Sequence, residues 1–375
     1  MRLKTEKENA RKHLEMVEFL RNDKEFDSNP SPYTKTHLIT TIVDKLNLDD
    51  NVQERILVVC TVELAIRLWR EGKKNVTITT RNLCRWTRKF AHTLGYKYYT
   101  MEELKNMRLE FDAVGGNPPW NGGVYKYFLK ECQSWLADNG VLYFYLPTNW
   151  MTLVTFKEMR NDLRTNFDIV EITILSNDKK QMFDIGNTGE VVLIGITKNT
   201  SKNKCLTKFK YLDNPQFKLD LHKINDIYPL YKSKHSVSIL DKVMSAKISD
   251  IPFNKKDWKG NFISAPTKVH ARVSADFMDK DGSKWELNKY KGIADEQTFM
   301  MPDSVEQAES HYDWFKSKWF SYILTIIKSQ GKNQPHPIAV TGLHAFKHDN
   351  TDFKKYFGFT EEEEKEVDEW MKSPK

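Results

Sequence analysis

The sequence lacks long hydrophobic runs, and no stretch approaches the roughly 20 apolar residues that a membrane-spanning helix needs. Its mean hydropathy is −0.62. Residues 1–20 are charged throughout and contain no apolar centre of the kind that a secretory leader carries. We therefore expect a cytoplasmic protein without membrane partners.

Cysteine is scarce as well. The four cysteines are far apart and follow no metal-ligand spacing: Cys60, Cys84, Cys132 and Cys205. Reduced thiols in a cytosolic protein are the simplest interpretation. The ten histidines form no His-Glu-x-x-His pattern. The sequence therefore predicts neither a disulfide framework nor a metal centre.

Basic residues outnumber acidic ones, with 58 Lys and Arg against 51 Asp and Glu, which gives a net charge of +7. A positive protein suits a polyanionic partner because cationic side chains release counterions from phosphates. A merely basic soluble protein is equally compatible with this charge.

Strand-like and helix-like segments alternate between residues 56 and 197. The strand candidates are 56–59, 76–79, 111–114, 140–146, 169–175 and 191–197, with helical patterns between most of them. This alternation predicts an α/β fold with a doubly wound, Rossmann-like sheet, in which the last strand pair is antiparallel.

The polar segment 199–204 predicts a domain boundary. We expect a helical extension over 1–30, the α/β domain over 31–200, a smaller α+β domain over 201–346 and a helical tail over 347–375.

The most distinctive stretch is 115–123, Gly-Gly-Asn-Pro-Pro-Trp-Asn-Gly-Gly, which follows a strand candidate. Prolines stiffen a loop, and glycines let backbone approach a ligand closely. The Asn117 amide oxygen and the Pro118 carbonyl can accept two N–H groups of an exocyclic amine, while Trp120 can stack on a flat ring. A proline turn beside a core tryptophan is the alternative.

This stretch resembles the Asn/Asp/Ser-Pro-Pro-aromatic motif of the amino-methylating DNA methyltransferases, which use S-adenosylmethionine. Residues 31–34 resemble the family's segment over the methionine end of the cofactor, 139–150 its next strand and turn, and 182–197 its late hairpin. Along the chain the cofactor segments come first, the catalytic loop next and the target-recognition region last, and this order is similar to the family's gamma-type arrangement. The resemblance covers residues 31–200 well. It implies that catalysis is carried out by Asn117, Pro118, Pro119 and Trp120. A motif that begins with Asn points to adenine N6 as the methylated atom.

The cofactor segments depart from the family's pattern. Residues 56–65 contain no glycine, and the second strand ends Thr-Thr-Arg-Asn without an acidic residue. Either S-adenosylmethionine is bound in a variant way, with Glu63 near its amine and Asn82 near its ribose, or the cofactor site has decayed. The candidate cofactor contacts are Tyr33, Thr34, Thr61, Glu63, Asn82 and Asn117.

The resemblance implies a catalytic methyltransferase domain over 31–200 and a target-recognition, DNA-binding domain over 201–346. Basic and aromatic residues interleave after residue 200, which suits nucleic acid, although solvated lysines around core rings would look the same. Phe183 lies where the family's hairpin flanks the extruded base. The candidate DNA contacts are Phe183, Lys255, Lys256, Lys268, Arg272 and Lys332.

We therefore expect a DNA methyltransferase that transfers a methyl group from S-adenosylmethionine to N6 of a flipped adenine in a specific duplex sequence. The resemblance implies restriction-modification or phage type, with double-stranded DNA and a cognate restriction endonuclease as partners. The alternatives are a non-catalytic DNA-binding protein with a decayed cofactor site, and a methyltransferase acting on RNA or protein.

Overall fold

A computed structural model of the chain describes residues 36–49, 54–120, 123–152, 154–175, 191–198, 205–221, 228–245, 262–266, 296–300, 317–327 and 352–372. In chain order the elements are α1 (Thr36–Leu46), β1 (Ile56–Val59), α2 (Val62–Arg70), β2 (Val76–Thr80), α3 (Arg85–Thr93), β3 (Lys97–Thr100), α4 (Met101–Met107), β4 (Phe111–Gly116), α5 (Tyr125–Ser134), β5 (Leu136–Pro147), α6 (Asn149–Thr152), α7 (Lys157–Asn166), β6 (Asp168–Ile174), β7 (Val191–Thr197), β8 (Thr207–Tyr211), β9 (Phe217–Leu219), α8 (Lys234–Ser245), β10 (Phe262–Pro266), β11 (Glu296–Met300), α9 (Lys318–Ile327), α10 (Phe353–Phe357) and α11 (Glu361–Lys372).

Among the residues that the structure describes, nine strands form one sheet in the order β3-β2-β1-β4-β5-β7-β6-β8-β9. The pairs from β3 to β5 are all parallel, whereas β7 runs antiparallel to both β5 and β6. The expected antiparallel arrangement of the last strand pair is confirmed. Strands β10 and β11 form a separate antiparallel pair.

Apolar cores cover both faces of this sheet. Within β1, Ile56 and Val58 face one core, and Leu57 and Val59 face the other, because successive side chains of a strand point to opposite sides. The first core is completed by α1, α2 and α3, and the second by α5 and α7. The mixed α/β, doubly wound fold expected from the sequence is therefore confirmed.

The C-terminal helices continue the second core. Trp319 of α9 stacks on Phe359, which precedes α11, with ring centroids 4.0 Å apart. Lys242 of α8 pairs with the buried Glu363 of α11 at 2.8 Å. Helices α8, α9 and α11 thus form one group packed beside the sheet.

The central sheet extends past residue 200, where the sequence predicts a domain boundary, because β8 and β9 join its edge. The division into four domains stays a prediction, and the expected N-terminal helix lies outside the described residues. Within the described part of the chain, no helix combines the length and the apolar character needed to cross a bilayer.

Candidate active site

The carboxyl ends of β1 and β4 lie side by side where the strand order turns. The chain after β1 leads to β2 and β3 on one side, whereas β4 and β5 lie on the other. Open α/β sheets bind ligands in the crevice at such a switch point. Cys60 and Thr61 directly follow β1, and Asn117 directly follows β4. The distinctive loop therefore stands at the edge where sheets of this kind bind ligands.

Thr61 connects the two strand ends. The backbone N–H of Asn117 donates to Thr61 Oγ1 at 2.7 Å, and the Thr61 hydroxyl donates to the Val59 carbonyl at 2.9 Å. Thr61 also occupies the N-cap position of α2, yet its side chain caps no helical N–H. Threonine at this position usually bonds the first helical turn. Here the buried hydroxyl holds Asn117 instead, and the expected contact of Thr61 with a cofactor stays a prediction.

The two glycines before Asn117 are required by the packing around β4. A Cβ on Gly116 would lie 2.2 Å from the Val59 carbonyl oxygen. A Cβ on Gly115 would lie 3.0 Å from both Ile42 and Leu64. These near atoms belong to β1, α1 and α2, and the expectation that the glycines bring backbone close to a ligand stays a prediction. Their small size lets β1 and α1 approach β4.

The indole of Trp120 is fixed at the rim of the sheet. Its Nε1–H donates to the Tyr145 carbonyl of β5 at 3.2 Å. Trp120 is half-buried and touches both cores, whereas Asn117 is only 1% exposed. Between them Pro118 is buried and Pro119 is half-buried. The indole therefore lies at the edge of both cores with part of its surface exposed, and its role as a stacking face stays a prediction.

A second pair of residues, which the sequence analysis missed, supports the chain after this loop. The Tyr125 hydroxyl at the start of α5 donates to Asn149 Oδ1 of α6 at 2.6 Å. Its ring stacks on Phe156 with centroids 5.5 Å apart. Burial raises the pKa of Tyr125 well above its usual range, so the phenol stays a neutral donor.

The turn after β1 is tight although it contains no glycine. Cys60 adopts a left-handed backbone conformation with φ of 52°. Residues with a Cβ rarely occupy this region, which glycine enters freely. Burial raises the pKa of the Cys60 thiol to about 12, so the sulfur is protonated near neutral pH. Cys60 thus supplies the backbone shape that a glycine would give, without a reactive thiolate.

The other candidate cofactor residues lie at the same edge. Glu63 is half-buried in the first turn of α2, and Asn82 is exposed in the turn after β2. The Thr80 hydroxyl donates to the Asn82 carbonyl at 2.7 Å, and the Cys84 N–H donates to the Tyr98 hydroxyl at 2.9 Å. These bonds give the turn after β2 a defined shape.

Several predicted residues fall outside the described part of the chain. They are the cofactor candidates Tyr33 and Thr34, and the DNA-contact candidates Phe183, Lys255, Lys256, Lys268, Arg272 and Lys332. Among the residues that the structure describes, no group of three His, Cys, Asp or Glu side chains could hold a metal ion.

Comparison with known proteins gives structural similarities only. No family model matches the sequence, and no curated protein matches it. A chain from a type I restriction-modification system has a TM-score of 0.41 at 15% identity, over 53% of this chain and 48% of that one. The M protein of the type I restriction enzyme EcoKI has a TM-score of 0.38 at 13% identity, over 58% of this chain and 59% of its own.

A third structure, from Listeria monocytogenes, is assigned to the class I S-adenosylmethionine-dependent methyltransferases. It has a TM-score of 0.40 at 12% identity, over 55% of this chain and 72% of its own. The chain thus spans about half to three fifths of the two restriction-modification chains. With every TM-score below 0.5, these similarities assign no function.

Proposed function

We propose that this chain is a DNA methyltransferase that transfers a methyl group from S-adenosylmethionine to N6 of an adenine flipped out of a duplex. The observation that carries the proposal is the position of the Asn117–Trp120 loop. It lies at the strand switch point, with Asn117 anchored through Thr61 and the indole held at the rim. We propose further that the enzyme is of the restriction-modification or phage type.

The amine of the flipped base would be bound by two acceptors. The Asn117 amide oxygen and the Pro118 carbonyl each accept one N6–H, which draws positive charge from the nitrogen as it becomes a nucleophile. Trp120 stacks on the purine and fixes its plane. Catalysis then consists of positioning and charge stabilisation, and no covalent enzyme intermediate is needed.

The groups at the sheet edge suit the proposed cofactor. Glu63 offers a carboxylate for a cationic amine, and Asn82 offers an amide at the end of β2, where ribose contacts are expected. The left-handed turn at Cys60 takes the compact shape of a glycine turn. When bound, S-adenosylmethionine supplies an electrophilic methyl group.

Radiolabelled S-adenosylmethionine and duplex DNA test the proposal directly. We expect label in DNA with the unaltered protein and at least a 100-fold lower rate with Asn117→Ala, since that variant removes one of the two acceptors. Equal rates for both proteins would exclude Asn117 from the mechanism. RNA and a glutamine-containing peptide serve as competing substrates, and label in either instead of DNA would replace the proposed substrate.

The second candidate is a DNA-binding protein with a decayed cofactor site. Arg81 favours it, because a cation follows β2 where an acidic residue commonly binds the ribose hydroxyls. Titration calorimetry separates the two candidates. One S-adenosylmethionine bound per chain supports the enzyme, and absence of binding heat together with duplex binding supports the alternative.

A further inference from the structure

One part of the α/β domain carries positive charge only. Residues 72–101 contain seven Lys and Arg and no Asp or Glu. These residues form β2, α3 and β3, which lie at one edge of the sheet. Outside this stretch the numbers of basic and acidic residues are equal, so the net charge of +7 of the whole chain equals the charge of residues 72–101. The positive charge is therefore concentrated on this edge rather than spread evenly.

Helix α3 presents its cations on a single face. Arg85, Arg88 and Lys89 are all exposed, and the spacing of three and four residues from Arg85 places them in a stripe on one face of the helix. The opposite face, with Thr87, Phe90 and Ala91, is buried against the sheet.

Helix stability does not explain this stripe. Arg85 lies in the first turn, where a positive charge opposes the helix dipole, and no side chain caps the start of α3. Neighbouring like charges on a helix face are also destabilising.

In the described part of the chain, carboxylates do not neutralise the positive charges of these side chains. Within the part of the chain that the structure describes, none of Arg81, Arg85, Arg88 and Lys89 forms an ion pair with a carboxylate. Hydrogen bonds from Thr100 lower the pKa of the nearby Glu103, and the charge of Arg88 adds to this effect. The Glu103 carboxylate accepts its bond from the Thr100 backbone N–H at 2.7 Å.

The stripe adjoins the candidate active site. Strand β2 is separated from β4 only by β1, so their ends are about 10 Å apart at ordinary strand spacing. The Arg81 backbone is near enough to the Cys60 thiol to act against the burial that raises its pKa, and Thr61 next to Cys60 holds Asn117. Burial raises the pKa of Tyr127 on α5, and Arg81 is close enough to act against that rise. A polymer bound at the loop would therefore pass beside α3.

We infer that Arg81, Arg85, Arg88 and Lys89 form a phosphate-binding surface for the backbone of duplex DNA, which we name the α3 surface. The inference rests on the proposed function, because that function supplies a polyanion at the neighbouring loop. Exposed cations at this spacing contact phosphates without reading sequence. The half-buried Trp86 has Lys89 Nζ 5.8 Å from its ring centroid, which keeps that lysine near the helix surface.

Two exposed lysines of the C-terminal helices offer a matched control. They are Lys355 of α10 and Lys372 of α11. The double variant Arg85→Gln/Arg88→Gln and the double variant Lys355→Gln/Lys372→Gln each remove two positive charges. Any difference between them reports the position of the charge rather than its amount.

Binding of a fluorescently labelled duplex is measured by anisotropy over a range of KCl concentrations. For Arg85→Gln/Arg88→Gln we expect the slope of log K against log salt to fall by about 1–2, and affinity near 0.1 M salt to fall about 10–100-fold. We expect the control variant to match the unaltered protein. Thermal unfolding verifies that both variants are folded.

Equal slopes for the unaltered protein and Arg85→Gln/Arg88→Gln would overturn the inference, as would an equal fall in the control variant. Tighter binding of RNA than of the duplex would also overturn it. Methyl transfer to the same duplex is measured in parallel. Transfer with unchanged slopes rejects only the α3 surface, whereas a selective fall in slope without transfer by the unaltered protein rejects only the proposed enzyme.

Discussion

Thr61 holds Asn117 in place through a 2.7 Å hydrogen bond between the Asn117 backbone N–H and the threonine hydroxyl, across 56 positions of sequence. The bond joins the turn after β1, where a cofactor would sit, to the loop after β4, where a base would sit. Because both residues are buried, water cannot replace the hydroxyl if it is lost.

Thr61→Val should lower the free energy of unfolding by about 1–3 kcal/mol, since it leaves the Asn117 N–H without this acceptor. We expect kcat for methyl transfer to fall at least 10-fold, because small displacements of catalytic groups are costly. Thr61→Ser keeps the hydroxyl and should restore most of kcat. Urea unfolding and steady-state kinetics measure both effects, and a destabilised Thr61→Val variant with full kcat would limit Thr61 to a structural role.

The two functions of the Trp120 side chain can be separated. Trp120→Phe keeps an aromatic face but removes the 3.2 Å hydrogen bond to the Tyr145 carbonyl, whereas Trp120→Ala removes both. We expect transfer rates to fall about 10-fold and at least 100-fold respectively, since stacking on a base contributes about 1–3 kcal/mol. Equal rates for the two variants would mean that the ring does not stack on substrate.

Gly116 should tolerate no side chain. In Gly116→Ala the new Cβ would meet the Val59 carbonyl oxygen at 2.2 Å, and this backbone atom can move only if β1 separates from β4. We expect a loss of at least 2–3 kcal/mol in urea unfolding, as for other overpacked sites. Gly72→Ala is the comparison, because its Cβ meets nothing within 4 Å and only its φ of 77° opposes it. Its cost should be about 1 kcal/mol.

Alkaline pH should destabilise the protein through Cys132. This side chain is fully buried in α5, and burial raises its pKa well above the ordinary value. The folded thiol keeps its proton, while the unfolded thiol ionises near pH 8.5, so stability is complete below that pH and falls above it. The loss approaches about 1.4 kcal/mol per pH unit for one such thiol. Cys132→Ala should show a shallower decline in unfolding free energy between pH 8.5 and 10.

The sequence predicted the regular, apolar parts of the fold well. The strands Ile56–Val59 and Val191–Thr197 have the predicted bounds, because each is a short β-branched run that both cores bury. Strand β3 and helix α4 were missed. Lys97–Thr100 is a short edge strand with few apolar residues, although Thr100 and Glu103 form a capping box that the sequence does signal.

The sequence predicted the loop of the candidate site but not the residues that hold this loop in place. Asn117 and Trp120 are adjacent to two prolines, and this local pattern is visible in the sequence. The anchoring contacts of Thr61 and Asn149 depend on side chains that meet only after the sheet has formed. The absence of glycine after β1 left open a variant or a decayed cofactor site, and the left-handed conformation of Cys60 shows how the turn is made without glycine.

Helix α1 leaves the ribosome before the strands of the central sheet, yet its contacts come much later in the chain. Leu38 accepts a hydrogen bond from Tyr145, and Lys45 pairs with Glu171, at separations of 107 and 126 residues. Until β4 and β5 have been synthesised, apolar side chains such as Ile42 have no sheet surface to cover. The growing polypeptide therefore carries an exposed amphipathic segment through much of translation, which is the kind of surface that chaperones protect.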